Sequence, residues 1–115
     1  RKPIIAVVRG RQEVGPRALG HRSLFAVPDS QIMRQHMNRL KAREWYRPVA
    51  PIIADEALEE VFGRVVKSPF MTMAPRVREE IWERFPAISH FDGTVRHQSV
   101  GKQDEPWLHA LLLAV

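Results

Sequence analysis

No cysteine occurs in this chain, and that absence removes disulfides, thiolate nucleophiles and Cys-ligated zinc at once. No apolar run approaches the roughly 18 to 20 residues that a membrane span needs; the longest tail of that kind is Ala110 to Val115. The opening Arg1-Lys2-Pro3-Ile4-Ile5 lacks the long apolar stretch and small-residue cleavage site of a secretory leader. There is no Gly-Lys-Ser/Thr ending of a P-loop, and no Gly-x-Gly-x-x-Gly follows a strand. No Gly-x-Ser-x-Gly elbow presents a nucleophile, and Ser23 has no evident base. His90 and Asp92 have no third ligand at metal-binding spacing. The expectation is a cytoplasmic protein without membrane contact, whose chemistry needs neither a side-chain nucleophile nor a metal held by these residues.

What is present is a chain of 115 residues, of which 44% are apolar, enough for one packed domain or part of one. The net charge of +5 and a pI near 10.4 favour anionic partners. The basic residues are interleaved with acids, as in Val77-Arg78-Glu79-Glu80-Ile81-Trp82-Glu83-Arg84. Such mixing reads as a solvated face rather than the basic stripe of a nucleic-acid-binding protein.

Three stretches set guanidinium groups beside Gly or Pro: Gly10 to Gly20, Lys41 to Pro48, and His90 to Gln98. An arginine fork matches a phosphate or carboxylate, and turns let backbone amides join it. Their repetition points to several segments converging on one anion, a phosphorylated small molecule. Taken alone, Gly15-Pro16-Arg17 is an ordinary tight turn with a solvated arginine, with Glu13 near enough to orient Arg17 or Arg11. Lys41 and Arg47 stand six residues apart across a helix end, from where both can turn toward one pocket; a plain basic helix terminus is the competing account. Thr94, Arg96 and Gln98 share one face if this segment is a strand, because side chains alternate. Three such polar groups in a row are costly to bury without a partner.

The periodicity gives an α/β (α+β) reading. Pro3 to Val8 reads as a buried strand running into the Gly10–Gly20 loop. Asp29 or Ser30 caps a helix with Ile32, Met33, His36, Met37 and Leu40 at helical spacing, delivering Lys41 and Arg43 at its C-terminal end. Val49 to Ala54, flanked by Pro48 and Pro51, is an edge or irregular strand. Asp55 caps a short helix through Phe62, stopped by Gly63, and a second runs from Pro75 to Arg84. Ile88 to Phe91 and Thr94 to Val100 read as strands around an Asp92-Gly93 turn. Asp104-Glu105-Pro106 opens a last helix carrying Leu108, Leu111 and Leu112.

In this order, the motifs Gly10-Arg11-x-Glu13-x-Gly15-Pro16-Arg17-Ala18-Leu19-Gly20-x-Arg22-Ser23, Asn38-x-x-Lys41-x-Arg43-Glu44-Trp45-Tyr46-Arg47-Pro48-x-Ala50-Pro51 and Pro86-Ala87-Ile88-x-His90-x-Asp92-Gly93-Thr94-x-Arg96-x-Gln98 are specific. Together they resemble the C-terminal domain of the nodulation-type O-carbamoyltransferases, a family that includes antibiotic-carbamoylating enzymes. The resemblance runs from about residue 3 to the end. It implies a YrdC-like domain, here residues 1–115 of a truncated, twisted open sheet with short helices. That domain makes carbamoyl-adenylate from carbamoyl phosphate and ATP (with Mg). An N-terminal Kae1-like domain, which holds the divalent metal, then passes the carbamoyl group to a hydroxyl-bearing acceptor.

By the same resemblance Lys41, Arg47 and Arg96 look like the catalytic, carbamoyl-phosphate-binding cations. Arg17 is a fourth, and Thr94 lies in the same carbamoyl phosphate and nucleotide site. His21 departs from the asparagine expected of the family. The family's later Asn-Thr-Ser-Phe-Asn-like stretch lies beyond Val115, so the isolated chain is expected to be inactive. A truncated sheet edge and an exposed apolar last helix favour self-association as a homodimer. The alternative is a YrdC-like module that binds double-stranded RNA or another polyanion without catalysis.

Overall fold

A computed structural model of the chain describes residues 3–115; Arg1 and Lys2 lie outside them. The fold is α/β, with four helices and two small open sheets among the described residues. Strands β1 (Ile5–Val8) and β2 (Arg22–Phe25) form an antiparallel ribbon, with Ile5 opposite Phe25 and Val8 opposite Arg22. Strand β3 (Ile52–Ala54) pairs in parallel with β4 (Gln98–Val100). Where one twisted sheet was expected, the four strands divide into two pairs.

The first strand is a correction. It was expected to be buried, yet Ile5 and Val8 are 54% and 74% exposed. Among the described residues its one strand neighbour is β2, and Ile5 and Val7 line an open groove instead of a closed core.

Helix α1 (Gln31–Leu40) begins where the polar pattern placed it: Ser30 is extended, and its hydroxyl accepts from the Met33 amide at 3.2 Å. Met33 and Met37 face inward, as their spacing requires. The Asp55–Phe62 helix is a 3-10 turn (Asp55–Ala57) followed by α2 (Leu58–Phe62). Asp55 does not cap it; Ala54 holds the cap position and makes no side-chain bond there. Gly63 ends α2 in the left-handed region at φ 71°, which costs glycine nothing.

Helix α3 (Glu79–Arg84) starts four residues after Pro75. Arg76 bridges Thr94, and the Val77 amide donates to the Gly93 carbonyl at 3.0 Å, so this approach is extended and tied to a distant turn. The expected Ile88–Phe91 strand is absent, and Thr94–Val100 shortens to the three residues that β3 can reach. Helix α4 (Pro106–Leu113) opens on proline, whose missing N–H costs nothing in a first turn.

The core is Ile53, Leu58, Phe62, Ile88 and Val95, with Val61, Val77 and Phe85 packed against it. Leu58 and Val95 are fully enclosed. His97 is also enclosed, its ring tilted at 45° against Phe62 and its Nε2 2.7 Å from the Val66 carbonyl. None of the described helices is long and apolar enough to cross a membrane.

Candidate functional site

Between the β1–β2 ribbon and the β3–α4 layer lies a groove of about 690 Å³. Its floor is apolar, from Ile5, Val7, Phe25, Ile52, Leu108 and Leu111, and Arg17, Lys41, Arg43 and Arg96 enter its wall. The cations come from three different segments: the Gly10–Gly20 loop, the turn after α1, and the approach to β4.

Each cation is held by local chemistry. The turn after α1 is built around Asn38, which is 1% exposed. Its Nδ2 donates to the carbonyls of Trp45 (3.1 Å) and Arg47 (2.8 Å), and its Oδ1 accepts from Arg43 Nε at 2.6 Å. Arg43 Nη2 also donates to the Pro48 carbonyl at 3.3 Å. These bonds hold Ala42 at φ 48°, a left-handed conformation that a non-glycine residue keeps only when its surroundings enforce it. The turn thereby carries Lys41 and Arg43 to the groove.

The electrostatics of the groove are unbalanced. Burial lowers the Lys41 ammonium pKa, and Arg43 lowers it further. Burial also lowers that of Arg43, followed by Arg47 and Arg96, with Glu44 acting in the opposite sense. Arg96 is lowered by burial and then by Arg17. Among the described residues none of Arg17, Lys41, Arg43 and Arg96 forms an ion pair. Arg96 Nε is buried with no hydrogen-bond partner. Guanidiniums keep their protons throughout, so what the wall lacks is negative charge.

Of the five residues singled out in the sequence, the structure brings Arg17, Lys41 and Arg96 together on this groove. Arg47 faces a neighbouring cavity of about 480 Å³ beside Arg34, Tyr46, Trp82 and His90, and its Nε pairs with Glu44 at 2.5 Å. Lys41 and Arg47 therefore do not share one pocket. Thr94 lines neither cavity; its hydroxyl donates to Asp92 at 2.7 Å within the turn. Gln98 does not line the groove either; its Nε2 donates to the Leu19 carbonyl at 3.1 Å.

Sequence reasoning missed two groups. Arg43 was named only for its place on the helix end, and Asn38 only as part of a motif. A lone Asn five residues before an Arg carries no signal that both will tie one turn. Among the described residues no three His, Asp or Glu side chains are grouped to hold a metal ion.

The groove of this α/β fold thus gathers cations without acidic partners among the described residues over an apolar floor, an arrangement that chemically favours an anionic ligand. The chain belongs to the carbamoyltransferase C-terminus family, whose model matches residues 1–115. It is 46% identical over 109 residues to a 3'-hydroxymethylcephem-O-carbamoyltransferase of Streptomyces clavuligerus, covering 95% of this chain and 20% of that protein. It is 43% identical over 111 residues to the protein of the same name from Amycolatopsis lactamdurans (96% and 21%). With nodulation protein U of Rhizobium tropici it shares 37% over 112 residues (97% and 19%). The chain spans about a fifth of the length of these curated relatives.

Proposed function

We propose that this chain is part of the YrdC-like domain of an O-carbamoyltransferase, and that its groove binds carbamoyl phosphate and ATP for the formation of carbamoyl-adenylate. The observation that supports this reading is the convergence of Arg17, Lys41 and Arg96, none with an ion-pair partner among the described residues, on one wall. Forming carbamoyl-adenylate breaks the carbamoyl–phosphate bond and the α–β bond of ATP, consumes one water and releases phosphate and pyrophosphate, so several anions are held together. Fixed guanidinium and ammonium groups offset that repulsion and stabilise the charge that builds up in the transition state. Arg43 adds charge while its Nε and Nη2 hold the turn. Arg47, electrostatically coupled to Arg43, stands next to the groove and extends the cationic surface toward a nucleotide's phosphates. Magnesium arrives with ATP; these residues offer its phosphates cations rather than a carboxylate cage for the metal. In the longer protein an N-terminal Kae1-like domain passes the carbamoyl group to a hydroxyl acceptor.

The test is calorimetric titration of carbamoyl phosphate into the chain, with inorganic phosphate and an RNA duplex as controls. Saturable binding is expected, weakened about 10- to 150-fold in Arg96→Ala, the loss of one hydrogen bond to a charged group. Equal affinity in Arg96→Ala and wild type refutes the site. Binding of the duplex alone, falling steeply with salt, makes the chain a polyanion-binding module instead.

A further inference from the structure

Glu13 is the single acid of the Gly10–Gly20 loop, and it pairs with neither Arg11 nor Arg17. Its Oε1 accepts three backbone amides: Leu19 at 2.7 Å, His21 at 2.7 Å and Arg22 at 3.2 Å. One carboxylate oxygen thus closes the chain across the residues that contain Arg17. Around it, Gly20 N donates to Ser23 Oγ at 3.0 Å, and Arg9 Nε donates to the Gly20 carbonyl at 3.0 Å. Arg9 continues to Glu105 at the start of α4, where His21 Nε2 also lies 2.9 Å from the carboxylate. All of these ties are made at the base of the loop. Its crown, Pro16-Arg17-Ala18, lines the groove.

We infer that Glu13 is a positioning residue of the anion site: it touches no ligand, and it holds the loop so that Arg17 stands close to Arg96. Two like charges will not stay together by preference, and Arg17 disfavours the charged form of Arg96. An exposed loop crown on glycine hinges would swing Arg17 away unless its base were fixed. Three charge-assisted amide bonds to one oxygen supply that fixation. A residue at position 13 without a side-chain oxygen in this place could not, and a carboxylate is the acceptor that best serves several N–H groups at once. The Glu13 carboxyl behaves accordingly: burial pushes it up, but the amides of Glu13 itself, Leu19, His21 and Arg22 outweigh that and lower it to about 2. The tie is therefore present above the ordinary carboxylate range and is lost only as pH falls through about 2.

The inference rests on the reading of the groove as a phosphate-type anion site, and the experiment separates the two. Inorganic phosphate and carbamoyl phosphate are titrated into wild type, Glu13→Ala, Glu13→Gln, Arg17→Ala and the Glu13→Ala/Arg17→Ala double variant. Amide exchange is followed at Leu19, His21 and Arg22, with Val95 as the core control. Glu13→Ala is expected to weaken binding about 10-fold or more, close to the effect of Arg17→Ala, and the double variant to bind no worse than Arg17→Ala. Glu13→Gln, which keeps an oxygen in place, recovers most of the loss. Exchange quickens at the three amides in Glu13→Ala while Val95 stays protected. Losses that multiply in the double variant, or wild-type affinity in Glu13→Ala, overturn the inference. If wild type binds neither anion, the reading of the groove fails. Amide exchange then decides the role of Glu13: unchanged protection in Glu13→Ala overturns it, and local loss of protection upholds the fixation of the loop.

Discussion

Replacing Gly20 by alanine tests how the loop base is built. Gly20 is buried at φ +95°, and a methyl on its Cα would lie 2.6 Å from Leu108 Cδ2. The backbone contribution is about 1–2 kcal/mol, the penalty an L-residue meets in left-handed conformations. The steric contribution depends on whether Leu108 can retreat. It is the far end of a flexible side chain, yet it is 1% exposed, so neighbours must shift with it, at about 1–3 kcal/mol. Together these give about 2–5 kcal/mol, or a fall of roughly 8–20 °C in Tm at about 4 °C per kcal/mol for a domain of this size. Urea unfolding followed by tryptophan fluorescence measures the loss. Leu108→Ala alone costs about 2–5 kcal/mol. In the double variant the collision is gone, so the two losses should fall short of additivity by about 1–3 kcal/mol. Additivity within about 0.5 kcal/mol would place the whole cost in the backbone. A Gly20→Ala chain within about 0.5 kcal/mol of wild type refutes both parts of the reasoning.

Two other perturbations probe the scaffold. His97 is fully buried and neutral, and burial holds its pKa below the usual 6.5, with the Val66 and Val95 backbone acting in the opposite sense. The unfolded chain therefore takes up the proton first: stability is full above about pH 6.5 and declines as pH falls toward the depressed folded value. Urea midpoints between about pH 7.5 and 5 should drop more steeply in wild type than in His97→Gln, and equal slopes would contradict this. Asn38→Ala leaves the Trp45 and Arg47 carbonyls and Arg43 Nε without their partner. A loss of about 3 kcal/mol or more is expected, at roughly 1–3 for each of the three groups left unpaired. Denaturation measures that loss, and weaker phosphate binding should accompany it because the turn also presents Lys41; unchanged affinity would mean that the turn's order is irrelevant to the groove.

Much of the helical framework was legible because it is decided locally. Ser30 as cap, the Met33/Met37 spacing, Gly63 as a left-handed stop and Pro106 as an opener each act within a few residues. The strands were less legible because strands depend on partners. Arg22–Phe25 has no alternation of its own and is a strand because β1 lies beside it. Ile88–Phe91 is apolar enough to be one, yet no strand pairs with it among the described residues. Helix α3 begins late for the same reason: residues 76–78 bond to Thr94, Gly93 and Val61, partners 16 to 18 positions away in either direction. In the site, the cations were visible from their type and their setting beside Gly and Pro. Their grouping was only partly visible, since the turn at Asn38 sends Lys41 and Arg47 to different cavities.

The groups that hold this site are as informative as the cations themselves. Lys41, Arg43 and Arg96 each have their charged form disfavoured by burial and by a like-charged neighbour, so the arrangement opposes itself when no anion is bound. A fold keeps such a cluster only if other bonds fix it, and here they are backbone-directed: Glu13 gathers amides, and Asn38 gathers carbonyls. Neither neutralises a guanidinium by pairing with it. Had Glu13 paired with Arg17, or had an acid stood where Asn38 does, the groove would have been more stable and already satisfied. On the proposed reading, fixing cations through the backbone while leaving their charge unanswered preorganises the wall for negative charge that comes from outside. The same logic makes Arg43 and Lys41 non-equivalent. Arg43 spends Nε and Nη2 on Asn38 and Pro48, so a lysine there would keep the charge but lose the planar fork that ties the turn. Lys41 carries no such structural duty among the described residues, and its ammonium is free to meet a ligand.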